Sequence, residues 1–531
     1  MAFQPTVGPN VQVSLGGTET TIAINPLDPG NLVGTGNFAH YTSLDYGATG
    51  TSTSSSGTYG YGADPNIAFD TDGNAYRQEL TWLSSTLRAI RIGKYTNKGQ
   101  TLSATYMAYQ PKYKNGIYSG NPDQGWLAID TNATSPRKNY LYTVWSDYPS
   151  QGATTSVQNV KGIILGFTRS TDRGATWSTP IDISSTLAGG QEHSSSIATG
   201  PNGEVYVAWI NGGNTTTQYG LYFNKSTDGG VTWGADTFIR SLQGWGSWPG
   251  VPDVRANPKI TVDPTTGTIY IASGEPNTSG GFDSSVIRST DGGYTWSSPV
   301  LLSDGLQGAY KYYFQPTISV APNGRIDAVW YDTRSNVSTV TGEYAYNLYY
   351  SYSTDGGISF APSIRVSNRQ SWRENPCVLP CDSRVLYEYQ GIASSNDRVH
   401  ALWADTRDSS TGQTGSAYTA QIHISSAPDV VTKTATNIAT TSATFNASIS
   451  TWGLTDDVQF EYGLTAALGS VTGNTSVTTP IGQTSTVSMP MSGLTANKTY
   501  YYRAFGYYYD PATGTTQTTY GATQTFKTPR R

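Results

Sequence analysis

The feature that most constrains this chain is a phrase of eight residues that occurs four times: STDRGATW (residues 170–177), STDGGVTW (226–233), STDGGYTW (289–296) and STDGGISF (353–360). Each position has a physical role in a tight turn between antiparallel strands. Asp172, Asp228, Asp291 and Asp355 are placed to accept hydrogen bonds from backbone N–H groups just downstream. Gly174, Gly230, Gly293 and Gly357 supply a positive φ without a Cβ clash. The closing aromatics Trp177, Trp233, Trp296 and Phe360 are expected to point into the layer beneath and bury apolar surface. A repeated turn needs a repeated β-unit around it, and the aspartates read as parts of a folding device rather than as metal ligands or catalysts.

An apolar strand opening precedes each turn: TIAINP, NIAFD, WLAID, SIATG, KITVD, TISVA and GIASS, beginning at Thr21, Asn66, Trp126, Ser196, Lys259, Thr317 and Gly391. They recur every 45 to 74 residues or so, room for roughly four short strands each. Two degenerate phrases fill further units: SLDYGATG (43–50) keeps Asp45 and Gly47, and YTNKGQTL (95–102) has Asn97 in place of Asp. The seventh unit has none. The nearest match to its missing last strand, judged against PSIRVS (362–367), is PNVQVS at residues 9–14. Paired beside residues 420–425, that N-terminal strand removes two open sheet edges at once.

The repeated phrase resembles the Asp-box of sialidases and of many non-enzymatic β-propellers. The resemblance implies an all-β fold, a seven-bladed Asp-box β-propeller over residues 1–427, with six blades as the alternative. From residue 428 to 531 the character changes to ATTSATFNASIS, VQFEYG and GLTANKTYYYRAFGYYY. The spacing of Leu494 and Tyr500 resembles the tyrosine corner of fibronectin type III modules and implies a separate β-sandwich with a core around Phe445, Phe460, Leu494 and Tyr500. Such a module serves tethering or assembly.

Composition narrows the function classes. Only 13% of residues are charged, against 58 Gly and 38 Tyr, a balance that suits turn-rich β-structure with a hydroxyl-rich surface. A net charge of −5 and a pI near 5.4 offer no basic stripe for nucleic acid. No apolar run is long enough to span a bilayer. The opening MAFQPTVGPN lacks the basic-then-apolar design of a secretory signal. An extracellular, cell-surface or virion-surface setting is expected, reached after signal removal or as part of a particle. A local disulfide between Cys377 and Cys381 is expected ahead of two free thiols. No metal site or other cofactor is expected.

Chemistry is sought where strand one begins and strand two ends, since these share one face of each unit and the box turns take the other. Ahead of strand one stand Glu19, Asp64, Asp123 with Gln124, His193, Asn257, Gln315, and Glu388 with Gln390, flanked by Trp126, Tyr313, Phe314 and Tyr389. After strand two stand Asp147, Asn211, Glu275, Asp332 and Asp405. Amides and aromatic faces suit neutral sugars, and a lone rim histidine, His193, is a candidate base. VWYDTR and LWADTR repeat an Asp and an Arg two residues apart, Asp332 with Arg334 and Asp405 with Arg407. Each pair reads first as an ion pair within its unit and second as a catalytic carboxylate with its partner. Asp147, Glu275, Asp332 and Asp405 are the candidate catalytic acids.

Sialidases hold the sugar carboxylate with an arginine cluster and use a Tyr–Glu nucleophile pair with an Asp acid/base. The stretch ahead of the first unit, GGTETTIAINP, contains no arginine, and only Arg334 and Arg407 follow strand two. The expectation is therefore a surface protein whose propeller face binds a glycan or a protein, with self-assembly into a particle or filament as a further role. The alternative is an exo-glycosidase of the sialidase-like class.

Overall fold

The computed structural model describes residues 5–14, 18–37, 39–54, 62–84, 87–114, 117–118, 120–148, 162–184, 191–212, 219–242, 257–277, 281–304, 311–335, 345–372, 389–407, 416–425, 427–452, 455–479, 483–510 and 515–530. Their named regular elements are all β-strands, and no helix is long and apolar enough to cross a membrane.

The unit Asn10–Gln421 is a succession of antiparallel meanders. The first sheet runs Thr21–Asn25, Asp28–Gly36, Ala39–Ser43 and Thr51–Ser54, and the second Ala63–Phe69, Ala75–Trp82, Arg88–Thr96 and Thr101–Tyr109. The third is Asn121–Ile129, Leu141–Tyr148, Ile164–Ser170 and Ile181–Asp182, and the fourth Gln191–Thr199, Val205–Gly212, Tyr219–Ser226 and Thr237–Leu242. The fifth is Lys259–Val262, Ile269–Pro276, Phe282–Ser289 and Val300–Leu301, and the sixth Tyr313–Val320, Ile326–Asp332, Ala345–Ser353 and Ile364–Arg365. The seventh joins Gly391–Ser394, Arg398–Asp405 and Ser416–His423 to a strand from the chain's start. Val11 pairs with Thr419, Gln12 with Tyr418 and Ser14 with Ala417, so the partners lie just before the expected residues 420–425.

Second strands such as Ile326–Asp332 are buried at every position, because a neighbouring sheet covers each face, and the polar residues they carry, such as Asp327 and Asp332, are buried with them. The core lies between sheets. Tyr76, Ile92, Leu127 and Trp145 pack the second on the third, and Val144, Phe167, Val207 and Trp209 the third on the fourth. Ile210, Phe223 and Ile260 join the fourth to the fifth, and Val286, Ile318 and Trp330 the fifth to the sixth. Between the sixth and seventh, the Tyr331 hydroxyl donates to the Ala404 carbonyl at 2.9 Å. Val13, Ile22 and Leu402 bring the seventh onto the first, and Val33 and Ile67 bring the first onto the second. The sheets thus close into a ring, the arrangement of a β-propeller.

All four boxes share one hydrogen-bond scheme. The serine hydroxyl donates to the aspartate and accepts the glycine N–H, the latter at 2.7 Å for Gly174 and Gly230, 2.8 Å for Gly293 and 2.9 Å for Gly357. The hydroxyl near the end of the phrase closes on the same carboxylate, Thr176, Thr232, Thr295 and Ser359 in turn. Burial pulls Asp172, Asp228 and Asp355 upward, but the hydrogen bonds together outweigh it and hold these three and Asp291 below the usual carboxylate range. The degenerate SLDYGATG forms the same turn through Ser43, Asp45 and Thr49. A cation just before the box serine reaches the next sheet's turn: Arg169 donates to the Gly229 carbonyl, Lys225 to that of Gly292 and Arg288 to that of Gly356.

One expectation needs correction. The closing aromatics are only half-buried, packed at the edge of the core as Trp233 is on Phe167 with ring centroids 4.9 Å apart. Among the described residues the fully buried tryptophans are Trp145, Trp209, Trp330 and Trp403, on the second strands.

Residues Ile422–Arg531 form the other compact unit together with Met1–Pro9, a division a few residues before the expected 428. Asp429–Thr436, Ser442–Ser450 and Ser485–Ser492 make one sheet. Thr455–Gly463, Ser470–Val471, Thr475–Thr478, Thr499–Asp510, Thr515–Tyr520 and Gln524–Lys527 make the other. Phe445, Phe460, Leu494, Tyr500, Tyr502 and Phe526 fill the space between them. The Tyr500 hydroxyl accepts the Thr495 N–H at 2.9 Å.

Candidate functional site

The second strands of four sheets end in Trp-x-Asp or Trp-x-Asn: Trp145 with Asp147, Trp209 with Asn211, Trp330 with Asp332 and Trp403 with Asp405. In the sixth sheet the buried Asp332 accepts the Trp330 indole N–H at 3.2 Å and pairs with Arg334 at 2.6 Å. The seventh repeats this, Asp405 taking Trp403 at 2.9 Å and Arg407 at 2.6 Å. Arg334 also bridges to Asp304 at 2.7 Å. Both carboxylates are thus neutralised inside their own sheets.

The third sheet keeps the tryptophan and the aspartate but reads VWSDYP, with Tyr148 and Pro149 where the others have Thr and Arg. Among the described residues no cation pairs with Asp147. The Tyr109 hydroxyl donates to its Oδ2 at 3.4 Å, while Oδ1 is buried with no hydrogen-bond partner among the described residues. A Cβ on Gly120 would fall 2.2 Å from the carboxylate, so only glycine leaves it room. Burial, reinforced by Asp182, pushes the Asp147 carboxyl up to about 7.

Other titratable groups lie on the same strand pair and on the first strand of the fourth sheet. Asp123 lies on the adjacent rung of the same strand pair, opposite Ser146, while Asp147 faces Pro122. Burial and the neighbouring Asp64 push Asp123 up to about 7, against the pull of Arg88, which pairs with it at 2.6 Å. The Tyr148 hydroxyl meets His193 Nδ1 at 3.0 Å. Glu192, next to that histidine, is 1% exposed, and burial pushes it up to about 8. Glu192, Arg88 and Tyr109 were not singled out from sequence. The signal within reach was the missing arginine in VWSDYP.

Several of the polar positions ahead of strand one do a different job. Glu19, Asp64, Gln124, Ser194 and Gln315 all have positive φ, near 50°. In the second, third, fourth and sixth sheets this residue sits in a register shift of the first strand. Glu19 Oε2 accepts the Asp64 N–H at 3.1 Å, Asp64 Oδ2 the Gln124 N–H at 2.9 Å, and Gln124 Oε1 the Ser194 N–H at 2.9 Å. Each side chain caps the next sheet's bulge, and on the far side of the ring Gln390 Nε2 donates to the Gln315 carbonyl at 2.7 Å. Gln124, Gln315 and Tyr389 are accordingly buried. The Lys259 ammonium lies 3.6 Å from the Trp126 ring centroid and 4.7 Å from that of Tyr389, joining the third and fifth sheets to the approach of the seventh. Glu275 pairs with Arg240 at 2.6 Å. Glu388, Cys377 and Cys381 lie outside the described residues. Among the described residues no group of three His, Cys, Asp or Glu side chains is placed to hold a metal ion.

No protein-family model matches the chain, and no curated protein matches it. Among solved structures, it is similar to the Hadza microbial sialidase Hz136 at 15% identity and a TM-score of 0.44, over 74% of this chain and 73% of that one. It is similar to the NanB sialidase from Streptococcus pneumoniae at 12% identity and a TM-score of 0.41, over 68% of each chain. For the Penicillium chrysogenum alpha-L-arabinanase complexed with arabinobiose the identity is 14% and the TM-score 0.40, over 62% of this chain and 94% of that one.

Proposed function

We propose that this chain is a seven-bladed Asp-box propeller that cleaves or grips a neutral glycan at the rim where the second and third sheets meet, with Asp147 as the proton donor. Asp147 carries this reading. It occupies the place of two arginine-neutralised carboxylates, lacks the arginine, and sits under a burial that keeps its proton on near neutral pH. A glycosidic oxygen needs such an acid as its bond breaks.

The rim arginines argue against an anionic sugar. Arg88, Arg240, Arg334 and Arg407 each already pair with a carboxylate at 2.6 Å. A sialic acid carboxylate would have to break one of these pairs and lose its own hydration. The residues from Ile422 onward are assigned to a fibronectin type III-like module for tethering or assembly, at a cell or virion surface. That assignment is supported by the tyrosine-corner bond and by the low charge of the chain.

The test is a panel of chromogenic neutral glycosides beside a sialoside, with wild type and Asp147→Asn. Turnover of a neutral glycoside that the substitution abolishes supports the reading. Retained glycan binding with no turnover favours a binding protein instead. Sialoside turnover lost in Arg334→Ala and Arg407→Ala would overturn the assignment.

A further inference from the structure

We propose a second ligand site, for a neutral saccharide, in a cleft of about 530 Å³ between the fifth and sixth sheets on the face that carries the box turns. At three other seams the short hairpins joining first and second strands are tied to their neighbours by hydrogen bonds. The Thr71 N–H donates to Asn139 Oδ1 at 3.0 Å between the second and third sheets, and Asn132 Nδ2 to the Gly200 carbonyl at 3.0 Å between the third and fourth. Asn323 Nδ2 donates to the Asn396 carbonyl at 3.2 Å between the sixth and seventh. The hairpins at 263–268 and 321–325 share no hydrogen bond among the described residues, and the cleft opens between them.

Its chemistry suits a polyol. Asp263 Oδ1 accepts the N–H groups of Thr265 at 2.8 Å and Thr266 at 3.2 Å, while Oδ2 faces Gly324 across the gap. Arg288 spends one N–H on the Gly356 carbonyl at 2.6 Å and forms no ion pair among the described residues. A carboxylate oxygen that accepts and a guanidinium that donates match two neighbouring sugar hydroxyls, and the threonine hydroxyls can take either role. Gly324 and Gly356, both at positive φ, put no side chain into the space. The charges of Asp263 and Arg288 offset each other, and the exposed Asp291 and Asp355 of the adjacent boxes repel anions. The volume falls in the range of about 300–1,000 Å³ typical of small-ligand sites.

The full chain, labelled at threonine methyls, is titrated with maltose, cellobiose and lactose and followed by NMR. The expected result is saturable shifts of the Thr265, Thr266, Thr268 and Thr290 methyls, with Kd on the order of 1 mM for at least one disaccharide. Thr290→Trp or Asn323→Trp, at exposed positions, fills the cleft and weakens binding by at least about tenfold, with the other threonine signals in place. Asp147→Asn leaves these shifts unchanged, which separates this site from the rim. Absence of saturable shifts with all three sugars, shifts with inorganic phosphate alone, or undiminished binding in both tryptophan variants overturns the proposal.

Discussion

Asp147→Asn should make the protein more stable while removing the proton it is proposed to donate. An aspartyl carboxyl titrates near ~3.9 in an unfolded chain, whereas burial holds Asp147 at about 7 in the folded one. Below the unfolded value both states keep the proton and nothing is lost. Between the two values the unfolded chain ionises first, so stability falls as pH rises, and above the folded value the loss is complete. Linkage puts the ceiling at about 4 kcal/mol. The side chain is at a rim with partial access to water, so the gain from a neutral isostere that still accepts the Tyr109 hydroxyl is expected at about 2 kcal/mol. Urea midpoints for wild type and variant should coincide near pH 4 and separate steadily up to about pH 8, with equal slopes. Equal midpoints across the range, or a less stable variant at the upper end, would refute the claim that Asp147 is buried without a cation.

Trp209→Ala should cost about 3–5 kcal/mol, since its indole is fully buried between the third and fourth sheets, and Trp233→Ala only ~1–3, its indole being half-buried on Phe167; guanidinium unfolding gives the order, and the reverse order would contradict the packing. Tyr500→Phe removes the acceptor for the Thr495 N–H and should lower the stability of the C-terminal sandwich by about 1 kcal/mol in calorimetry. Burial holds the His400 ring neutral and pushes its titration down to about 3. Stability should therefore fall with pH from about 6.5 downward as the unfolded chain takes up the proton first, and His400→Gln should flatten that limb. Expressed alone, residues 422–531 should fold with dispersed amide signals, and an unfolded fragment would count against a self-sufficient core.

Much of the ring was legible because its signals are local. The box turn needs Ser, Asp, Gly and a hydroxyl within seven residues, and that density of contacts leaves a readable phrase even in the degenerate copy at Ser43–Asp45–Thr49. The clasp could be read by matching PNVQVS to a missing strand, because a closed ring allows no surplus edge. The rim was less legible, since its contacts join residues some 45 to 75 positions apart, such as Gln124 with Ser194, where |i−j| is 70. Gln124 and Gln315 look like ligand groups on the rim, yet positive φ and a bulge turn them into the ring. Asp147 stands in the aligned column after strand two. What distinguishes it is a residue that its repeat lacks, and an absence shows only against the paired copies at Arg334 and Arg407.

The pairing of Val11–Ser14 with the strand Ser416–His423 dictates an order of events during synthesis. Gln12 donates to Ser416, so the two partners of this contact are 404 residues apart. The first strand leaves the ribosome early and must wait, unpaired, until nearly the whole ring has followed it. At about 5–20 residues per second that interval is on the order of 20–80 seconds, during which the first sheet shows an apolar flank that only the seventh will cover. Ring closure is then one long-range event late in folding, and a nascent chain stalled before residue 416 should carry independent sheets with an open seam exposed to chaperones and to other chains.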